Sequence, residues 1–198
     1  MTTAKTLFEL AGADLSLPAP DQSSLVLIDI QNEYLSGPLA LTGVDAAVAA
    51  AARLLERARR AGVPVIHIAH RGSAGSMFDP EGERGRIIDA VAPRAGEAVV
   101  GKTLPNAFAG TDLEARLKAT GRSNVVLAGF MTHMCVSATA RSALDRGFRA
   151  TIDATACATR DLPDGRGGAI AATTVHDVAL AELADRFAIV SRALNAVW

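Results

Sequence analysis

The chain is predicted to fold as an α/β protein, a parallel sheet between two helical layers, and three observations carry that prediction. Short apolar runs of the kind buried on both faces of a parallel sheet recur along it: LVLIDI at 25–30, VPVIHIAH at 63–70 and VVLA at 125–128. Between them lie segments with the one-face apolar spacing of packed helices, of which 44–61 is the strongest. The connections are mostly short, as alternating strands and helices require. In such sheets ligands bind beyond the carboxyl ends of the strands, where the strand order reverses.

Composition narrows the function. With 198 residues, 49% of them apolar, the chain can bury one sizeable core. Residues 1–24 read as an N-terminal arm ending in a Pro-rich link, and 25–198 as one domain. A formal charge of −1 gives no reason to expect nucleic acid or an anionic membrane surface. The two cysteines, Cys135 and Cys157, have no metal-ligand spacing and are too few for a disulfide scaffold, so a reduced cytoplasmic protein is expected. The first residues lack the basic region and apolar core of a signal peptide, and no apolar run is long enough to span a bilayer.

Taken in order, LVLIDI ends on Asp29, and the helix at 44–61 is stopped by Gly62 and Pro64. The strand at 63–70 leads into a Gly-rich loop, 71–86. A short strand is expected at 97–100, then a helix at 111–120 with Thr111 as cap and Gly121 as stop. The strand at 125–128 should turn at Gly129 and enter a helix with Thr132 as N-cap. A strand at 149–153, a loop at 157–168, a helix near 169–183 and a last strand at 187–190 complete the chain.

Residues 125–145, VVLAGFMTHMCVSATARSALD, are the chemically suggestive stretch. Cys135 stands in the first turn of the expected helix, over unpaired N–H groups and the positive end of the dipole. Both stabilise a thiolate, so its pKa is expected below the free value of about 8.5. The same N–H groups suit the oxygen of a carbonyl under attack.

The segment GFMTHMCV resembles the nucleophile motif of the isochorismatase-like cysteine hydrolases, a superfamily that includes nicotinamidases, N-carbamoylsarcosine amidohydrolases and isochorismatases. LVLIDIQNEY, with Asp29, and VVGKTLPNAF, with Lys102, fit the same pattern in the same order, and the match spans about 25–190. The resemblance implies a three-layer, Rossmann-like sandwich with a mainly parallel six-stranded sheet of order 3-2-1-4-5-6. It implies a cysteine hydrolase cleaving a small amide through a thioester, with Asp29, Lys102 and Cys135 as triad. Asp29 would take the thiol proton and later activate water, Lys102 would hold the ion pair, and the N–H groups of Met131 and Cys135 would form the oxyanion hole. A cis Phe130–Met131 peptide and association into a dimer or tetramer are implied as well. The arm and Trp198 are candidates for that contact.

Each candidate has a bland counterpart. Cys135 could be a small buried packing residue, Asp29 a turn residue and Lys102 a surface cation. Cys157, without a cap or charged companion, is read as packing. Residues 96–103 formally satisfy G-x-x-x-x-G-K-T, but Ala-Val-Val at its centre prefers an extended strand and Pro105 follows too closely for a helix. His67 and His70, three apart on a strand, point to opposite faces and have no acidic residue between them, so no metal or other cofactor is expected. Gln31, His70, Phe78, Asn106, Phe108 and Phe130 are candidate substrate contacts. Loop 71–86, with Phe78 as its apolar residue, is a candidate lid. Two rival functions remain: vinyl-ether hydrolysis of the isochorismatase type, which the resemblance implies would use the aspartate as an acid and need no cysteine, and nucleotide binding on the P-loop pattern.

Overall fold

A computed structural model describes residues 4–194. Its six-stranded sheet is built from β1 (Ser23–Ile28), β2 (Val65–His70), β3 (Ala98–Lys102), β4 (Asn124–Phe130), β5 (Arg149–Ala158) and, last in the chain, β8 (Ala188–Ser191). Their order is β3-β2-β1-β4-β5-β8, and every neighbouring pair is parallel. The sixth sheet strand is numbered β8 because of a two-stranded ribbon: β6 (Leu162–Pro163) lies in the segment read as plain loop, and β7 (Ala169–Ile170) where the last helix was expected to begin.

Alternation in β1 and β4 divides the core. Leu25, Leu27, Val126 and Ala128 face α3 (Val44–Arg60), whose Ala47, Ala51, Leu54, Leu55 and Ala58 form the buried stripe. Val26, Ile28, Val125 and Leu127 face the other layer, formed by α4 (Leu113–Ala119), α5 (Ser137–Asp145) and α6 (Ala172–Arg186). Two short helices complete the set, α1 (Leu7–Leu10) and α2 (Glu33–Ser36). Among the described residues no helix is long and apolar enough to cross a membrane.

Several expectations are corrected. The chain does not turn at Gly129, because β4 runs on to Phe130. Gly129 has a φ of 126°, and a Cβ there would lie 2.1 Å from the Ile28 carbonyl oxygen, so glycine is needed for close approach of β4 to β1. Thr111 does accept from the Leu113 N–H at 3.3 Å, although Asp112 holds the N-cap position. Strand β5 continues past Asp153, spending five residues from Ile152 to Cys157 where β4 spends two, Leu127 to Gly129. This bulge brings the end of β5 back beside the end of β4. Within the chain, the Leu7 N–H donates to Asp185 at 2.8 Å, and Arg149 donates to the carbonyls of Asp14 and Ser16. Trp198 lies outside the described residues.

Glu97, just ahead of β3, ties the outer strands to α3. It accepts from Arg59 at 2.7 and 2.8 Å and from the Arg94 N–H at 2.8 Å, and it meets His67 Nε2 at 3.0 Å. The Arg59 contact, with the other bonds, holds its pKa down at about 2 against a usual 4.5. A depressed carboxylate stabilises the fold above its ordinary pKa, and that contribution fades as pH falls through about 2. Glu97→Gln is therefore expected to cost about 2 kcal/mol at neutral pH. Thermal melts should show the deficit shrinking between about pH 5 and pH 2; a deficit independent of pH would contradict this.

Candidate active site

Asp29 follows β1 directly, with a φ of 51°. Left-handed backbone costs an L residue about 1–2 kcal/mol, and Asp is among the side chains that tolerate it best. Its N–H still bonds the Ile68 carbonyl at 3.0 Å, while the Gln31 N–H turns back onto the Asp29 carbonyl at 2.9 Å. The chain thus leaves the sheet at Asp29, over the carboxyl ends of the strands.

Lys102 ends β3, with β2 lying between it and β1, and its side chain crosses that gap. Its Nζ lies 2.7 Å from Asp29 Oδ2, 3.4 Å from Cys135 Sγ and 3.3 Å from His70 Nδ1. An ammonium has three N–H donors, and here three acceptors face it. The arrangement requires an unprotonated His70 Nδ1, which puts the neutral ring's proton on Nε2. Burial, with help from Lys102, pushes the His70 pKa down and keeps the ring neutral. Asp29 and Lys102 are at most 2% exposed, and neither carboxylate oxygen receives a well-aligned hydrogen bond. The contact is an ion pair held by distance.

Cys135 sits in a wide π-helical turn, Thr132–Val136, between β4 and α5. The Met134 and Val136 N–H groups both bond the Met131 carbonyl, at 3.0 and 3.2 Å, and the Phe130–Met131 peptide is cis. Thr132 is not the cap: its hydroxyl donates to the Ala158 carbonyl at 3.1 Å and meets His176 Nδ1 at 2.9 Å. The thiol's acidity also departs from expectation. Burial first, and the Asp29 carboxylate second, push its pKa up to about 12, against the pull of Lys102. Burial likewise raises the Asp29 pKa, outweighing Lys102. The helix-start argument neglected how little water reaches this thiol. Cys157 is also raised to about 12, by burial.

The other candidates separate. His70 lies against Asp29 and Cys135 through Lys102, and Phe78 packs on it at 5.0 Å. Phe78 and Phe130 flank Tyr34 at 5.4 and 5.6 Å, and Phe130 is fully buried beneath that layer. Gln31 does not face open space. Its amide N–H groups bond the carbonyls of His70 and Gly85, and its oxygen accepts from the His70 N–H, so it fastens loop 71–86 to β2. Asn106 is likewise occupied, with Ser142 at 3.1 Å and the Phe108 N–H at 2.9 Å, while Phe108 stacks on Phe148. Both are structural contacts to the α5 layer. His67 is held by Glu97, and among the described residues no group of His, Cys, Asp or Glu side chains could hold a metal ion. The P-loop pattern runs through β3 as a strand, and bends and turns rather than a helix follow Lys102 directly.

Two residues near the Asp29–Lys102–Cys135 cluster were not singled out from the sequence. Tyr34 is 2% exposed and within electrostatic reach of Asp29 and Cys135, and Arg160, just past β5, is within reach of Tyr34 and His133. Tyr34 stands in the same short segment as Asp29, whereas Arg160 is hidden in what reads as a turn-rich loop.

The isochorismatase domain model matches residues 23–193. The chain belongs to the isochorismatase family. Among solved structures, this family member is similar to an isochorismatase from Pseudomonas putida KT2440, with 44% identity and a TM-score of 0.93 over 98% of this chain and 99% of that one. A secreted isochorismatase effector of Verticillium dahliae is 38% identical over 179 residues, 90% of this chain and 92% of the relative. A maleamate amidohydrolase of Pseudomonas putida is 36% identical over 146 residues, 65% of this chain and 68% of the relative. The isochorismatase-family chain described here is a hydrolase.

The Gln31 clamp gives a direct check on loop 71–86. Gln31→Ala removes three hydrogen bonds between Asp29's strand exit, β2 and that loop. Amide exchange across 71–86 is expected to rise about tenfold or more relative to α3. Unchanged exchange would mean that other contacts seat the loop.

Proposed function

We propose that this hydrolase cleaves a small-molecule amide through a thioester on Cys135. The observation that carries the reading is the Lys102 ammonium, 2.7 Å from Asp29 and 3.4 Å from the Cys135 sulfur. In the resting site the thiol keeps its proton. As sulfur attacks the carbonyl carbon, that proton passes to Asp29, whose raised pKa makes it a better acceptor than an ordinary carboxylate. Lys102 offsets the charge during transfer. The Met131 and Cys135 N–H groups receive the developing oxyanion, a contribution of about 10²–10³ in rate where such donors are removed elsewhere. Asp29 then returns the proton to the leaving amine, draws one from water for thioester hydrolysis, and restores the thiol.

The name of the maleamate amidohydrolase relative supports a C–N bond as the target. Vinyl-ether hydrolysis stands as the second reading because other relatives are named isochorismatases and Asp29, with its raised pKa, suits an acid. That chemistry leaves the Lys102–Cys135 contact without a purpose. The unpaired thiols fit a reducing, cytoplasmic setting. Self-association belongs to the same proposal, with exposed Leu7, Leu10 and Val178 as apolar surface for it; sedentimentation of the intact chain tests it.

Quenched turnover of a small amide should give an acyl adduct on the Cys135 peptide by mass spectrometry, and Cys135→Ala should abolish turnover. Dialysis against a chelator should leave the rate unchanged. Full activity in Cys135→Ala, or hydrolysis of isochorismate but of no amide, would refute the thioester mechanism; activity restored only by added metal would refute its metal-free form.

A further inference from the structure

We propose that His176 of α6 is a positioning residue: its Nδ1–H fixes the Thr132 hydroxyl and, through it, the two N–H groups proposed to receive the oxyanion. The oxyanion role rests on the amidase reading; the hydrogen-bond assignment does not.

One proton decides the direction of these bonds. The Thr132 hydroxyl lies 3.1 Å from the Ala158 carbonyl oxygen and 2.9 Å from His176 Nδ1. A hydroxyl donates a single proton, and a carbonyl oxygen only accepts. The Thr132 proton therefore goes to Ala158, and Nδ1 must carry the hydrogen of the second bond. Thr132 is fully buried, so water replaces neither contact if it is lost. Burial lowers the His176 pKa, with Asp177 of its own helix opposing and Arg192, beyond β8, adding to the effect. Near neutral pH the ring is uncharged, with its one hydrogen on Nδ1. His70, which accepts from Lys102 at Nδ1, is the opposite tautomer.

What the hydroxyl holds is the thiol turn. Phe130, the last residue of β4, pairs with Ala158, and Thr132 returns to the carbonyl of that same Ala158. Met131 is thus bracketed between two attachments to β5. Its carbonyl shares a peptide plane with the Thr132 nitrogen, and it accepts from the Met134 and Val136 N–H groups on either side of Cys135. Met131 bears one proposed oxyanion donor and Cys135 the other, so a shift at Thr132 reaches both. The Ala158 end is anchored in turn: Thr159, next to it, bridges to Thr42 and meets His133 Nδ1.

Packing does not account for His176. The buried side of α6 is made by Val175, Ala179, Leu180 and Leu183. His176 instead borders a cavity of about 370 Å³ that it shares with Thr155, Thr159 and Thr173. A side chain kept only to fill space would be apolar and closely surrounded. The imidazole stands between that cavity and the thiol turn, with Nδ1 on the turn.

The test separates misplaced oxyanion donors from a damaged thiol. Iodoacetamide forms a thioether at a methylene carbon as iodide leaves and the thiol proton passes to Asp29, so no oxyanion develops. Propionaldehyde adds to the sulfur instead: the S–C bond forms, and the thiol proton ends on the former carbonyl oxygen, which takes the oxyanion position. In His176→Gln, kcat for a small amide and the protection of Cys135 by propionaldehyde should each fall about tenfold or more. The iodoacetamide rate should stay within about twofold of wild type. His176→Asn should restore most of both losses, because its amide nitrogen lies as many bonds from Cα as Nδ1 does, whereas that of Gln lies one further. Thr132→Val should match His176→Gln, and the double variant should be no worse than either. Histidine nitrogen NMR of the wild-type chain should find the His176 hydrogen on Nδ1, a readout that stands even where a variant fails to fold. Hydrogen on Nε2, equal losses in Asn and Gln, or alkylation falling in step with turnover overturns the positioning role. Loss of aldehyde protection in His176→Gln, with alkylation kept and no amide turned over even by wild type, supports the positioning and overturns the amidase reading. Unchanged amide turnover in His176→Gln overturns the positioning and leaves the amidase reading standing.

Discussion

A single buried ammonium organises this site. Lys102 and Asp29 are almost wholly removed from water, and an unpaired charge in such a place costs several kcal/mol. The carboxylate and the ammonium are tolerable only together, 2.7 Å apart. Their pairing follows from strand order and register: β2 and β3 end together at His70 and Lys102, two residues beyond the Ile28–Ile68 pair, and β1 leaves the sheet through a left-handed Asp29. The third acceptor, the Cys135 sulfur, arrives from the opposite side, where Gly129 lets β4 run against β1. The sheet order is what brings these three chain segments to one point.

The same dryness sets the chemistry. A thiol at the start of a helical turn would be acidic in water-rich surroundings. Here burial and the neighbouring carboxylate hold its proton, and burial raises the carboxyl as well. Two groups with raised affinity for one proton, bridged by a fixed cation, suit the proton transfer of the proposed mechanism. Gln31 bonds the Gly85 carbonyl of loop 71–86, and Phe78 of the same loop packs on Tyr34.

Much of this was legible in the sequence. The apolar runs and the stripe of α3 mark the sheet and one of its covering layers because burial on both faces leaves a direct trace in residue type. Asp29, Lys102 and Cys135 are legible as a set through resemblance, since nothing in their spacing shows that three strand ends meet. The substrate contacts were harder. Gln31 and Asn106 carry polar side chains that suit a ligand equally well, and only the hydrogen bonds show them taken up by the fold. Thr132 has the composition of a cap but bonds across to β5. The β5 bulge, which brings the end of β5 back beside the end of β4, has no sequence period to betray it.

The central claim is that one proton is shared between Asp29 and Cys135 across Lys102. It is tested most directly by titrating thiolate ultraviolet absorbance in a Cys157→Ala background, with and without Asp29→Asn. Asparagine tolerates the left-handed backbone and removes only the anion. The account predicts that the Cys135 titration moves to lower pH in Asp29→Asn, because the carboxylate that holds the proton on sulfur has gone. An unchanged or upward-shifted titration would contradict it.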